Sequence, residues 1–149
     1  MEECMEEKKG CTVVNQYYGC CGGNGNVVPG AENDYSTEET VCGKWIDGKP
    51  IYRKVITGTL AKDSGNGIVF ANVSDLKIDK LVDLYGSFAD VVSKTQGILQ
   101  TSYNRTNGLF AAVNMSYSDE TGNIAYHYLN NSGYFSGSPV TVIIEYTKK

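Results

Sequence analysis

Two β-prone runs face each other across an Asp-Gly pair in the segment Tyr35-Ser-Thr-Glu-Glu-Thr-Val-Cys-Gly-Lys-Trp-Ile-Asp-Gly-Lys-Pro-Ile-Tyr-Arg-Lys-Val-Ile56. Val41, Trp45, Ile46, Ile51, Val55 and Ile56 carry branched or aromatic side chains that fit a pleated, half-buried surface. Asp47-Gly48 tolerates the positive φ that a tight hairpin turn demands. Pro50 has no N–H to give a ladder, so it belongs at a strand start or a sheet edge. The segment therefore predicts a hairpin of Thr40–Ile46 and Pro50–Leu60. If Trp45 is a core residue, truncating it to Ala costs about 3–5 kcal/mol, whereas a loss below about 1 kcal/mol places it on the surface.

The same rhythm continues to the end of the chain. Asp63–Gly67 is a turn by composition, Ile68–Val73 a strand, and Leu81–Phe88 alternates in part, which favours strand over a helix start. Gly97–Tyr103 reads as one further strand and Asn104–Gly108 as a turn. Leu109–Tyr117 follows, with Leu109, Ala111, Val113, Met115 and Tyr117 on one face. Asp119–Asn123 turns into the strand Ile124–Leu129, and Val140–Tyr146 closes the chain with Val140, Val142, Ile144 and Tyr146 facing inward. Seven or eight short strands separated by Gly/Asn/Ser turns predict an all-β fold: an antiparallel β-sandwich, jelly-roll-like, over residues 36–149.

Residues 1–35 read differently, as an extended N-terminal arm for docking or oligomerisation. Glu2–Lys9 allows two helical turns, Thr12–Tyr18 a short strand, and Cys21–Asn26 a Gly/Asn linker. The arm holds six acids against two bases, and residues 36–149 hold eleven of each, so the net charge of −4 lies wholly in the arm. No Lys/Arg cluster tracks a phosphate backbone, which argues against nucleic acid as a partner. No apolar run approaches a membrane-spanning length. The N-terminus lacks the basic and apolar regions of a signal peptide, so assembly in a cytoplasm is expected.

In a reducing compartment the five cysteines, Cys4, Cys11, Cys20, Cys21 and Cys42, do not predict a disulfide framework. Without a C-x₂-C knuckle, and with the one histidine, His127, far from the arm, no zinc site or other cofactor is expected either. Asn72, Asn104, Asn114 and Asn130 begin glycosylation-like triplets that reflect a chain rich in Asn, Ser and Thr. Neither a nucleophile elbow nor a phosphate loop appears, and Gly22-Gly-Asn-Gly precedes no amphipathic helix. Asp79, Asp83 and Asp90 are of the right type for paired-carboxylate hydrolysis, but charge on a solvated face explains them as well. His127, mid-strand between two tyrosines, reads as a sheet-face histidine. The chain is expected not to be an enzyme.

The stretch Tyr35–Val55, with Trp45, Ile46, Asp47, Gly48, Lys49, Pro50, Ile51 and Tyr52 at its centre, resembles a "STEE…V.G.WIDGKPIY.K" signature. That signature stands near the start of the C-terminal β-domain of tail-fibre, baseplate-associated and other minor structural proteins from phages and prophages of gut Gram-positive bacteria. The final strand, Val140–Lys148, is similar to the family's ending, and Cys42 departs from the small or aliphatic residue expected at its position. The resemblance implies a non-enzymatic virion structural protein, a tail or head fibre or a decoration component. It also implies a homotrimer presenting its β-domain outward, with the arm meeting other virion proteins. The alternative is a carbohydrate-binding module that recognises host surface polysaccharide for adhesion. Eleven tyrosines against four phenylalanines and one tryptophan suit either a subunit interface or a binding face, besides ordinary strand pairing. The densest cluster of aromatics and amides, Tyr126, Tyr128, Asn130, Asn131, Tyr134 and Phe135, supplies the candidate glycan contacts.

Overall fold

The computed structural model describes residues 35–90, 94–105, 108–131, 133 and 135–149. Among them the chain forms nine strands and one 3₁₀ turn. The strands are β1 (Thr40–Lys44), β2 (Pro50–Thr59), β3 (Gly65–Asn72), β4 (Ile78–Ala89), β5 (Gln96–Ile98), β6 (Thr101–Arg105), β7 (Gly108–Ser118), β8 (Asn123–Asn130) and β9 (Pro139–Lys148); the 3₁₀ turn is Ser74–Leu76. They make two antiparallel sheets, one ordered β1-β2-β9-β4-β5 and the other β3-β8-β7-β6. This is the all-β sandwich expected of the chain. The arm, apart from Tyr35, and Cys4, Cys11, Cys20 and Cys21 with it, lies outside the described residues.

The core follows the period-two rule. Val140, Val142, Ile144 and Tyr146 on β9 are no more than 2% exposed, and they meet Ile124, Tyr126 and Tyr128 of β8 and Ala111, Val113 and Met115 of β7. Each large apolar side chain removed from water in this way contributes about 1.5–3 kcal/mol. Crossings between the sheets are tied by hydrogen bonds as well as by packing. The backbone N–H of Ala61, just beyond β2, donates to the Tyr126 hydroxyl at 2.8 Å.

Three departures from the expected pattern have local causes. The strand anticipated over Gly97–Tyr103 is two strands in two sheets: β5 pairs with β4, and β6 pairs with β7. Between them Leu99 turns into the core, and Gln100 adopts a left-handed backbone at φ +63°. The Gln100 side-chain amide then replaces the missing ladder, donating to the Met115 carbonyl at 2.6 Å and accepting from the Met115 N–H at 2.9 Å. The second departure is Trp45, which sits half-buried in the β1–β2 turn outside the core, with the Lys80 ammonium 5.0 Å from its ring centre. The third is Ile46, read above as part of a half-buried strand but 92% exposed at the turn.

Candidate functional site

A groove of about 300 Å³ lies on the outer face of the four-stranded sheet, lined by Ser64, Gly65, Asn66, Ala112, Asn114, His127, Tyr128 and Leu129. Its construction starts with a bulge. The β3–β8 register slips between Gly65 and Ile68, and Gly67 supplies the left-handed φ of +65° that such an insertion needs. Asn66 is thus freed from the ladder, and its carbonyl oxygen stands 3.2 Å from Nδ1 of His127. The contact engages Nδ1 and leaves Nε2 free to donate or accept according to the tautomer.

His127 and Asn114 are register partners across β8 and β7, as are Leu129 and Ala112, so the four share the outer face. Asn114 is exposed and its side chain makes no hydrogen bond to the described residues, which leaves its whole amide available. At the rim, Ser64 Oγ accepts the Asn130 N–H at 2.8 Å and keeps its own O–H to donate. Among the described residues, no Lys, Arg, Asp or Glu lines the groove. Its chemistry is that of neutral donors and acceptors over a floor of Gly65, Ala112 and Leu129.

The outer face of the five-stranded sheet differs in kind. Arg53 Nε donates to Glu145 Oε1 at 2.8 Å, and the two residues are opposite each other on β2 and β9. Tyr85 donates its O–H to the same carboxylate oxygen at 3.1 Å, while the Tyr35 ring covers the guanidinium at 4.6 Å. Burial, the hydroxyl contact with Tyr35 and the nearby Glu145 charge push Tyr85 well above the usual phenol range. Arg53 Nη1 and Thr40 Oγ1 are buried there without a partner among the described residues. Cys42, the departure within the signature, is half-buried beside this cluster, and burial raises its thiol pKa, so it is a poor nucleophile.

In the signature, Asp47 Oδ1 accepts the Lys49 N–H at 2.9 Å, Gly48 takes φ +88°, and Lys49 Nζ bridges to Asp79 at the start of β4. Pro50 opens β2; Ile51 is half-buried, and Tyr52 stacks on Tyr146 with ring centres 6.0 Å apart. Of the glycan candidates, Tyr126, Tyr128 and Phe135 are core residues at 2%, 3% and 7% exposure. The Tyr126 and Tyr128 rings pack into the core, and Phe135, in the turn before β9, packs edge-on against Phe88, so none offers a ring face on which a sugar could stack. Burial also pushes the Tyr128 phenol up to about 12. Asn130 is half-buried and bonded to Ser64 and Ser136, Asn131 is exposed, and Tyr134 lies outside the described residues.

The acids weighed for hydrolysis do not converge. Asp79 is paired with Lys49, Asp83 caps its own neighbour's N–H, and Asp90 is buried at the far end of β4. No group of His, Cys, Asp or Glu able to hold a metal ion occurs among the described residues. Likewise, no helix among them is long and apolar enough to cross a membrane. The groove residues Ser64, Asn66 and Asn114 were not apparent from the sequence. The only available signal was the alternation Tyr126-His127-Tyr128, which points His127 away from its neighbours.

Comparison with protein-family models, with curated proteins and with solved structures gave no match.

Proposed function

We propose that this chain is a non-enzymatic structural protein of a phage particle, a fibre or decoration component that assembles as a homotrimer and presents its sandwich outward. The observation that carries the reading is the likeness of Tyr35–Val55 to the phage signature. A supporting observation is that one large apolar residue of this stretch stands in solvent. Ile46 is 92% exposed on a turn that the Lys49–Asp79 bridge ties to β4. An exposed apolar side chain at that position is available for contact with another protein surface. Light scattering coupled to size-exclusion chromatography on the full chain, with mass spectrometry of purified particles, tests the proposal. A trimer that is present in particles is the expected result; a monomer absent from particles refutes it.

The groove favours a second reading, in which the same module binds host carbohydrate. Neutral amides, an imidazole and a hydroxyl on a rigid sheet suit the hydroxyls of a sugar better than any charged ligand. A blank array of host cell-wall polysaccharides would remove this reading.

A further inference from the structure

We infer that the groove between the β3 bulge and the β7–β8 pair is a binding site for one uncharged sugar unit of a polysaccharide. The inference rests on the carbohydrate-binding reading and specifies its site and ligand class. Four polar side chains from three separate strands or their margins converge there: Ser64, Asn66, Asn114 and His127. Their free capacity is mixed. Asn114 offers both a carbonyl oxygen and its amide hydrogens, Asn66 keeps its amide hydrogens, Ser64 its O–H, and His127 its Nε2. A sugar hydroxyl donates and accepts at once, so it is the ligand group that uses such a mixture fully.

The absence of charge in the lining selects further. A phosphate or carboxylate leaving water needs a charge-assisted partner, and no Lys or Arg lines the groove among the described residues. A peptide adding as a strand needs a straight sheet edge, whereas β3 is bulged at this point. The floor of Ala112 and Leu129 is small and apolar, matching the C–H face of a pyranose. At about 300 Å³ the groove stands at the lower limit for small-molecule sites, enough for a single ring whose neighbours extend into solvent. Part of the site is also set before any ligand arrives, because the bulge and the Asn66–His127 contact hold two of the four side chains.

Saturation-transfer NMR on the full chain tests this with glucose, galactose and N-acetylglucosamine, against glucuronic acid and glucose 6-phosphate. Neutral sugars are expected to bind at millimolar strength, about tenfold tighter than their charged counterparts. Asn114→Trp, which fills the groove, and Asn66→Ala are expected to weaken the neutral sugars by about tenfold or more. Asn114 is exposed and unbonded, so the Trp variant should keep the wild-type circular dichroism spectrum. No saturation of any neutral sugar, a preference for the charged ones, or an undiminished signal in Asn114→Trp overturns the inference. On a host polysaccharide array, binding retained by Asn114→Trp removes the groove while leaving the carbohydrate reading intact. A blank array with the wild-type chain removes both.

Discussion

Gly86→Ala should be among the most destructive single-methyl additions in this protein, and Gly48→Ala is its natural control. Gly86 lies mid-β4 at φ +155°, where a Cβ would stand 2.0 Å from the Thr141 carbonyl oxygen and 3.1 Å from a Leu99 methyl. Reaching even a 3.0 Å contact requires moving the β9 backbone by about 1 Å. β9 cannot yield cheaply, because it is hydrogen-bonded to β2 on one side and β4 on the other and carries Val142 and Ile144 at 0% exposure. Overpacking costs about 1–3 kcal/mol and a strained backbone about as much again, so a loss of about 3–5 kcal/mol is expected. Gly48 shares the positive φ, at +88°, but nothing lies within 4 Å of its Cβ position. Backbone strain alone, about 1–2 kcal/mol, is expected there. Urea unfolding of both full-length variants, followed by far-UV circular dichroism, gives the comparison. With a slope of about 1–3 kcal/mol per molar, the Gly86→Ala midpoint should fall well over about 1 M. Equal losses in the two variants, or a Gly86→Ala loss below about 1 kcal/mol, would refute the clash.

Glu145→Gln leaves Arg53, 9% exposed, without its carboxylate, and should cost about 3 kcal/mol in the same assay. The double variant Arg53→Met/Glu145→Leu should recover much of that loss, and a double variant worse than Glu145→Gln would contradict the desolvation argument. Trp45→Ala should cost only about 1 kcal/mol, since it removes a half-buried ring and the Lys80 contact rather than core; a loss above about 3 kcal/mol would place the ring back in the core. Burial raises the Glu39 pKa, but hydrogen bonds from Lys148 and Tyr146 outweigh it and hold the carboxyl below its ordinary 4.5. Its contribution to stability is therefore complete at neutral pH and lost as pH falls below about 4.5 through the folded value. Unfolding midpoints measured against pH should show a shallower acid loss in Glu39→Gln than in wild type, and identical profiles would contradict the assignment.

Local chemistry is what a sequence carries openly, and it marks the strands. The alternation of Val140, Val142, Ile144 and Tyr146 names its own inner face, because successive side chains of a strand point to opposite sides. Asp47-Gly48 and Asp119–Asn123 turn the chain because their residues tolerate or create turn geometry wherever they stand. Tyr126 and Tyr128 are withdrawn from any sugar for the same physical reason. Neighbours along β8 lie on opposite faces, so Tyr126 and Tyr128 enter the core while His127 faces out.

From the sequence alone came the all-β character, the inward faces and most turns, each set by residues within a few positions of one another. The tertiary structure decided the rest. It divided Gly97–Tyr103 between two sheets, because Leu99 gains burial only if the backbone turns at Gln100 and because Met115, across the sheet, accepts the Gln100 amide as a substitute ladder. It also assembled the groove, whose Asn66 and His127 are 61 residues apart and meet through a bulge and a strand register. Register and sheet membership depend on which distant surfaces bury each other best, and that balance appears in no local stretch of residues.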